Sequence, residues 1–139
     1  MRTRLSLGLV LVLILALSIG LAGCKITGGG FLDECDGKVN FGFNAQFKGD
    51  DVKGQFQLVD HSTKPVTRVH GTFEGQMGSA AGGLCTVNGL GPYPFSLYVE
   101  DEGEPGIDDY ISVRIYIPGP DLKYKGTIDG GNIQVHKDD

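Results

Sequence analysis

The chain has 139 residues, 40% of them hydrophobic and 21% charged, with 23 glycines, three cysteines and no tryptophan. That is enough for one domain with a modest core and too little for several. A formal net charge of −5 excludes the basic surface that nucleic-acid phosphates or anionic lipids demand, and leaves cations and neutral molecules as partners.

Met1-Arg2-Thr3-Arg4 supplies two fixed positive charges, and residues 5–22 carry none and are rich in Leu, Val and Ile. This is the charged n-region and apolar h-region of a secretory signal. An uncleaved helix is the alternative, since about 18 apolar residues are marginally enough to span a bilayer. The run ends in Leu21-Ala22-Gly23-Cys24, which resembles the bacterial lipobox. That resemblance implies cleavage before Cys24 and lipid on its thiol, hence an extracytoplasmic protein anchored to the cell membrane or outer membrane. Lys25 stands where Asp commonly marks inner-membrane retention in Gram-negative lipoproteins, which leans the expectation to an outer membrane. Two or three acyl chains hold durably where one does not.

The expected organisation is a signal peptide at 1–23, a lipidated N-terminus and glycine-rich tether at 24–35, and a folded domain at 36–139. The tether reading rests on Gly28-Gly29-Gly30, a composition typical of flexible linkers. With Arg2 and Arg4 gone, 12 − 2 = 10 basic residues face 17 acidic ones, a side-chain charge of −7.

In residues 38–48, Val39, Phe41, Phe43, Ala45 and Phe47 alternate with Asn40, Asn44, Gln46 and Lys48, the period of a strand with one buried face. Gly49-Asp50-Asp51 supplies a turn, and 55–59 reads as the next strand. Further strands are expected at 66–73, 84–88, 93–100, 110–117, 122–128 and 132–136, separated by Gly, Pro, Asn and Asp clusters. Pro92 and Pro94 around Tyr93 suit a strand start or sheet edge. The fold class is therefore all-β: a single antiparallel β-sandwich, or partly open barrel, of about eight strands. Its expected core is Phe41, Phe43, Phe47, Phe56, Leu58, Val69, Phe73, Phe95, Leu97, Val99, Ile111, Val113, Ile115, Tyr124, Ile128, Ile133 and Val135.

With Cys24 assigned to lipid, Cys35 and Cys85 remain, and two thiols in an oxidising compartment are expected to pair. The bond would contribute about 3–5 kcal/mol by loop closure. Gly37-Lys-Val-Asn-Phe-Gly-Phe-Asn44, Val69-His-Gly71, 101–108 and Gly130-Gly-Asn-Ile-Gln-Val-His-Lys137 together resemble the β-rich post-COAP type modules of bacterial surface and secreted proteins. The resemblance covers about residues 36–137. It implies a β fold and an envelope location, and no activity.

Residues 100–109 hold six of the 17 acidic residues. Calcium takes six to eight oxygens from carboxylates and carbonyls, so Asp101, Asp108 and Asp109 are candidate ligands and calcium the cofactor to consider. The EF-hand spacing is absent, and the alternative is a solvated acidic turn. His61, His70 and His136 lack the spacing of a zinc site, and no Gly-x-Ser-x-Gly elbow is present. Tyr98, Tyr110 and Tyr116 fall on the parity opposite their strands' apolar sets and, with Tyr93, could present aromatic platforms to a surface protein or glycan. The expectation is a non-enzymatic binding or structural module of the cell envelope. A calcium-stabilised adhesion module and a small extracytoplasmic hydrolase are the alternatives.

Overall fold

The computed structural model describes residues 24–49, 51–77, 80–102 and 108–137, the side chains of 77 and 137 excepted. The expected signal peptide, including the apolar run at 5–22, lies outside the described residues. Among the described residues no helix is long and apolar enough to cross a membrane.

Among the described residues nine strands follow one another: β1 (Cys24–Glu34), β2 (Gly37–Lys48), β3 (Asp51–Asp60), β4 (Thr67–Met77), β5 (Ala80–Val87), β6 (Leu90–Glu100), β7 (Tyr110–Ile115), β8 (Leu122–Thr127) and β9 (Gly130–Lys137). They form one antiparallel sheet in the order β8-β7-β6-β5-β4-β3-β2-β1-β9. Each hairpin pairs with the next, and only β9 breaks the meander by returning to β1. The sheet curls into a partly open barrel, with its apolar face inward. Phe56, Phe95, Ile111, Val113, Ile115 and Ile133 are fully buried there, and Phe95 stacks on Phe56 with ring centroids 5.4 Å apart and meets Phe73 at a tilt, 5.5 Å away. Side chains fill the interior, as in small barrels generally.

The strand not expected is the first. Residues 24–34, read as tether for their glycines, are an interior strand bonded to β2 on one side and β9 on the other. Ile26 and Leu32 point inward with the core, and glycines occupy the inward positions between them. They are there for packing. A Cβ on Gly28 would lie 2.5 Å from the Phe43 ring, and one on Gly30 would lie 2.1 Å from the Gly130 carbonyl oxygen. In a strand, glycine marks such close approaches.

The two ends of the sheet are joined by the chain itself. Eight antiparallel steps separate β8 from β9, so the two run in the same sense. Only Ile128 and Asp129 lie between them. Ile128 N–H donates to Asp109 O on the β7 side, and Asp129 N–H donates to Phe31 O on β1, both at 2.9 Å. Consecutive amides thus face opposite neighbours, as in an ordinary strand. Residues 122–137 therefore act as one bent strand whose first half pairs with β7 and second half with β1.

Candidate functional site

The described parts of the acidic segment, residues 100–102 and 108–109, sit at this seam. Because β7 begins at Tyr110, it offers no backbone partner to the outward amides of β9. Carboxylates take that place. Asp109 is fully buried; its Oδ2 accepts from Ile133 N–H at 2.7 Å and its Oδ1 from Glu102 N–H at 2.8 Å. Asp101 Oδ2 accepts from Val135 N–H at 3.1 Å. Two aspartates thus continue the ladder past the end of the strand that should have carried it, satisfying amides that would otherwise be costly to bury.

Of the three candidate calcium ligands, then, Asp109 points into the seam, Asp101 lies on its rim and Asp108 is exposed. Among the described residues no group of three or more His, Cys, Asp or Glu side chains is placed to hold a metal ion. Burial raises the pKa of the Glu102 carboxyl above the usual range, and the neighbouring charges of Glu100, Asp109, Asp101 and Asp108 add to the rise.

A second buried carboxylate escaped the sequence reading. Asp60, at the end of β3, accepts from Ser62 N–H at 2.8 Å and from the Ser62 hydroxyl, and its Oδ2 takes the Tyr124 hydroxyl at 3.1 Å. It thereby ties β3 to β8 across the interior. Burial, and then Asp60, push the Tyr124 hydroxyl pKa upward. The only trace in sequence is Asp60-His61-Ser62, an acid followed two residues on by serine, which fits a local side-chain turn.

The expected disulfide does not form in the structure. Cys35 is exposed in the β1–β2 turn, whereas Cys85 is buried in β5. The register Cys85–Gly71–Phe56–Phe43 places Cys85 three strands from β2 and level with its middle, far from the turn at its start. Three strand spacings are about 14 Å, against the roughly 4.4–6.8 Å between Cα atoms that a disulfide needs. Burial pushes the Cys85 thiol up to about 11. Cys24, the expected lipid site, is buried where β1 starts, opposite Phe47 and Lys137 in register.

Of the candidate tyrosines, Tyr93 packs against the core, and Tyr98, Tyr110 and Tyr116 separate into two groups on the outer face. Tyr98 and Tyr110 meet edge to face, with centroids 6.3 Å apart and planes at 64°, so they offer no common flat platform. Tyr98 also donates its hydroxyl to Glu100 at 2.6 Å, and its pKa is raised, first by burial and then by that bond. Tyr116 instead lies under the Arg114 guanidinium, 5.0 Å from its ring centroid, and Arg114 pairs with Asp121 at 2.8 Å.

The outer face of β9-β1-β2-β3-β4 has a different character. One row across these strands reads Gln134, Thr27, Asn44, Gln55, Thr72, and the next reads Asn132, Gly29, Gly42, Gln57, His70. Neither row contains Asp, Glu, Lys or Arg, although 21% of the chain is charged. Lys53, Lys25 and His136 lie beyond one row, and Arg68 and Lys38 beyond the other.

Fold and surface together define an antiparallel meander barrel with a packed interior, a carboxylate-clipped seam and an uncharged amide face. Compared with protein-family models, curated proteins and solved structures, the chain matches none.

Proposed function

We propose that the protein is a cell-envelope lipoprotein, anchored through Cys24, whose barrel is a non-enzymatic binding or structural module of post-COAP type. The observation that carries this reading is in the sequence: two arginines, an uncharged apolar run at 5–22 and small residues immediately before a cysteine. The lipobox-like Leu21-Ala22-Gly23-Cys24 places the expected cleavage point before Cys24, and the nine strands among the described residues, 24–137, would belong to the mature chain. Under this reading the acyl chains leave from the barrel's own first strand, and the module stands directly on the membrane surface. The non-enzymatic part is supported by the two buried carboxylates, Asp60 and Asp109, which are engaged in backbone and hydroxyl hydrogen bonds.

Fractionation of cells expressing the full chain tests the anchor. Wild-type protein is expected in the membrane fraction, extractable by detergent and not by high salt. A Cys24→Ser variant is expected to lose incorporation of labelled fatty acid, which the wild type shows, whether or not the apolar run at 5–22 still holds it to the membrane. Wild-type protein that incorporates no labelled fatty acid, or a Cys24→Ser variant that incorporates as much, would contradict the proposal.

A further inference from the structure

We infer that the barrel meets the membrane end-on, its Cys24 end seated on the lipid by an apolar mouth; this rests on the anchor proposed above and adds how the module stands on it. Side chains alternate along a strand, so Cys24 shares the inward face of β1 with Ile26 and Leu32. Register gathers apolar neighbours around it. Cys24 lies opposite Phe47, and Ile26 lies opposite Ala45 on β2 and Val135 on β9. Ile26 and Phe47 are only partly buried, and Val135 is 41% exposed although it keeps the inward parity of fully buried Ile133. The core face therefore reaches solvent at this mouth. The opposite end is finished differently. Asp60, level with Val39 and Leu32, is buried there and takes hydrogen bonds from Ser62 and the Tyr124 hydroxyl. One end of the barrel is sealed by a polar network, and the other presents apolar side chains around the anchoring thiol.

The occupant follows from what Cys24 would carry. A diacylglyceryl group bonded to this inward-facing thiol starts beside Ile26, Phe47 and Val135, and its acyl chains enter the bilayer at that point. Drawing the mouth against the glyceryl and upper acyl region removes those side chains from water, the same gain that holds apolar faces at a membrane interface. Charge does not select the partner, because the rim is mixed: Lys25, Lys48 and Lys53 are exposed on one side of it, and Asp101 and Asp108 on the other. Since Cys24 itself opens β1, no slack separates the anchor from the sheet, and the seat fixes a direction. Cys35, beyond the far end of β1, then stands about 25–30 Å above the surface, given about eleven strand steps of about 3.3 Å each and the tilt of strands in a barrel.

The test uses the full chain, expressed and processed in bacteria, purified in detergent and reconstituted into phosphatidylcholine vesicles that contain a lipid spin-labelled at its headgroup. A thiol-reactive fluorophore is placed on exposed Cys35 or, in a Cys35→Ser background, on Lys48→Cys at the mouth; buried Cys85 stays unlabelled in the folded protein. Quenching by the spin label is expected to be severalfold stronger at position 48 than at position 35. Val135→Asp, at an exposed site, is expected to reduce quenching at 48 severalfold, with labelled fatty acid still incorporated and the melting temperature unchanged. Acylated protein quenched equally at both positions, or more at 35, overturns the end-on seat and leaves the anchor standing. Quenching at 48 that is unchanged in Val135→Asp overturns the role of the apolar mouth. Protein without fatty acid on Cys24 overturns the anchor and this inference together.

Discussion

Replacing Asp109 with alanine tests the seam, and the cost can be worked from its two hydrogen bonds. Ile133 is fully buried, so its N–H, deprived of Asp109 Oδ2, gains no replacement partner within the barrel. A buried donor left unsatisfied costs about 1–3 kcal/mol. The Glu102 amide lies in a part-buried bond at the rim and can turn to water, so its loss adds about 0.5–1 kcal/mol. The total is roughly 1.5–4 kcal/mol, and at about 4 °C per kcal/mol for a domain of this size the midpoint falls by roughly 6–16 °C. Differential scanning calorimetry or circular dichroism melts measure it. Asp108→Ala, on the exposed neighbour, is expected to stay within about 0.5 kcal/mol, as surface substitutions usually do. Each melt is run in EDTA and in millimolar calcium. Structural capping requires the same Asp109→Ala loss in both, whereas a cation held by Asp101, Asp108 and Asp109 would raise the wild-type midpoint with calcium and abolish that rise in the variant. A loss below 1 kcal/mol in EDTA would refute the capping argument.

The strand assignment of 24–34 separates two neighbouring glycines: Gly30→Ala forces a Cβ against the Gly130 carbonyl and is expected to destabilise by about 1–3 kcal/mol, while Gly29→Ala is expected to be neutral or slightly stabilising. A flexible tether would tolerate both equally, so equal denaturation midpoints would restore that reading. In the native state a thiol reagent at pH 8 is expected to modify Cys35 rapidly and Cys85 only after denaturation, because Cys85 is buried with its thiol pushed up to about 11. No reaction at Cys35 without a reductant would instead reveal a disulfide. Glu102 has a raised pKa in the fold, so between its ordinary value and the raised one the folded state binds more protons and stability falls as pH rises. Glu102→Gln is accordingly expected to raise the midpoint at pH 7 and to change little below pH 4; an equal gain at both pH values would exclude charge repulsion as its cause.

Much of the barrel was legible because a half-buried strand writes itself in period two. Phe41, Phe43, Phe56, Leu58, Phe95, Leu97, Ile111, Val113 and Ile115 all lie where alternation puts them. β1 was not legible, because its inward positions at Gly28 and Gly30 are empty for the sake of neighbouring strands, and close approach of a distant backbone leaves the same mark in sequence as a linker. Val135 keeps the inward parity of Ile133 and is nevertheless 41% exposed. Parity assigns a face and cannot tell how far along the barrel the cover extends. The acidic segment was visible as a density of charge, yet its direction was not. Asp109 serves an amide 24 residues away, and that proximity exists only once 122–137 has bent from β7 to β1. The cysteine pairing was read from a count of thiols alone, whereas the structure holds Cys35 and Cys85 as free thiols at distant positions in the register.

The most direct test of the anchored-barrel account is mass spectrometry of the N-terminal peptide from protein extracted from membranes with detergent. The account requires a peptide beginning at Cys24 and carrying the mass of a diacylglyceryl group, with or without a further amide-linked acyl chain. An unmodified Cys24, or a chain that still begins at Met1, would contradict it.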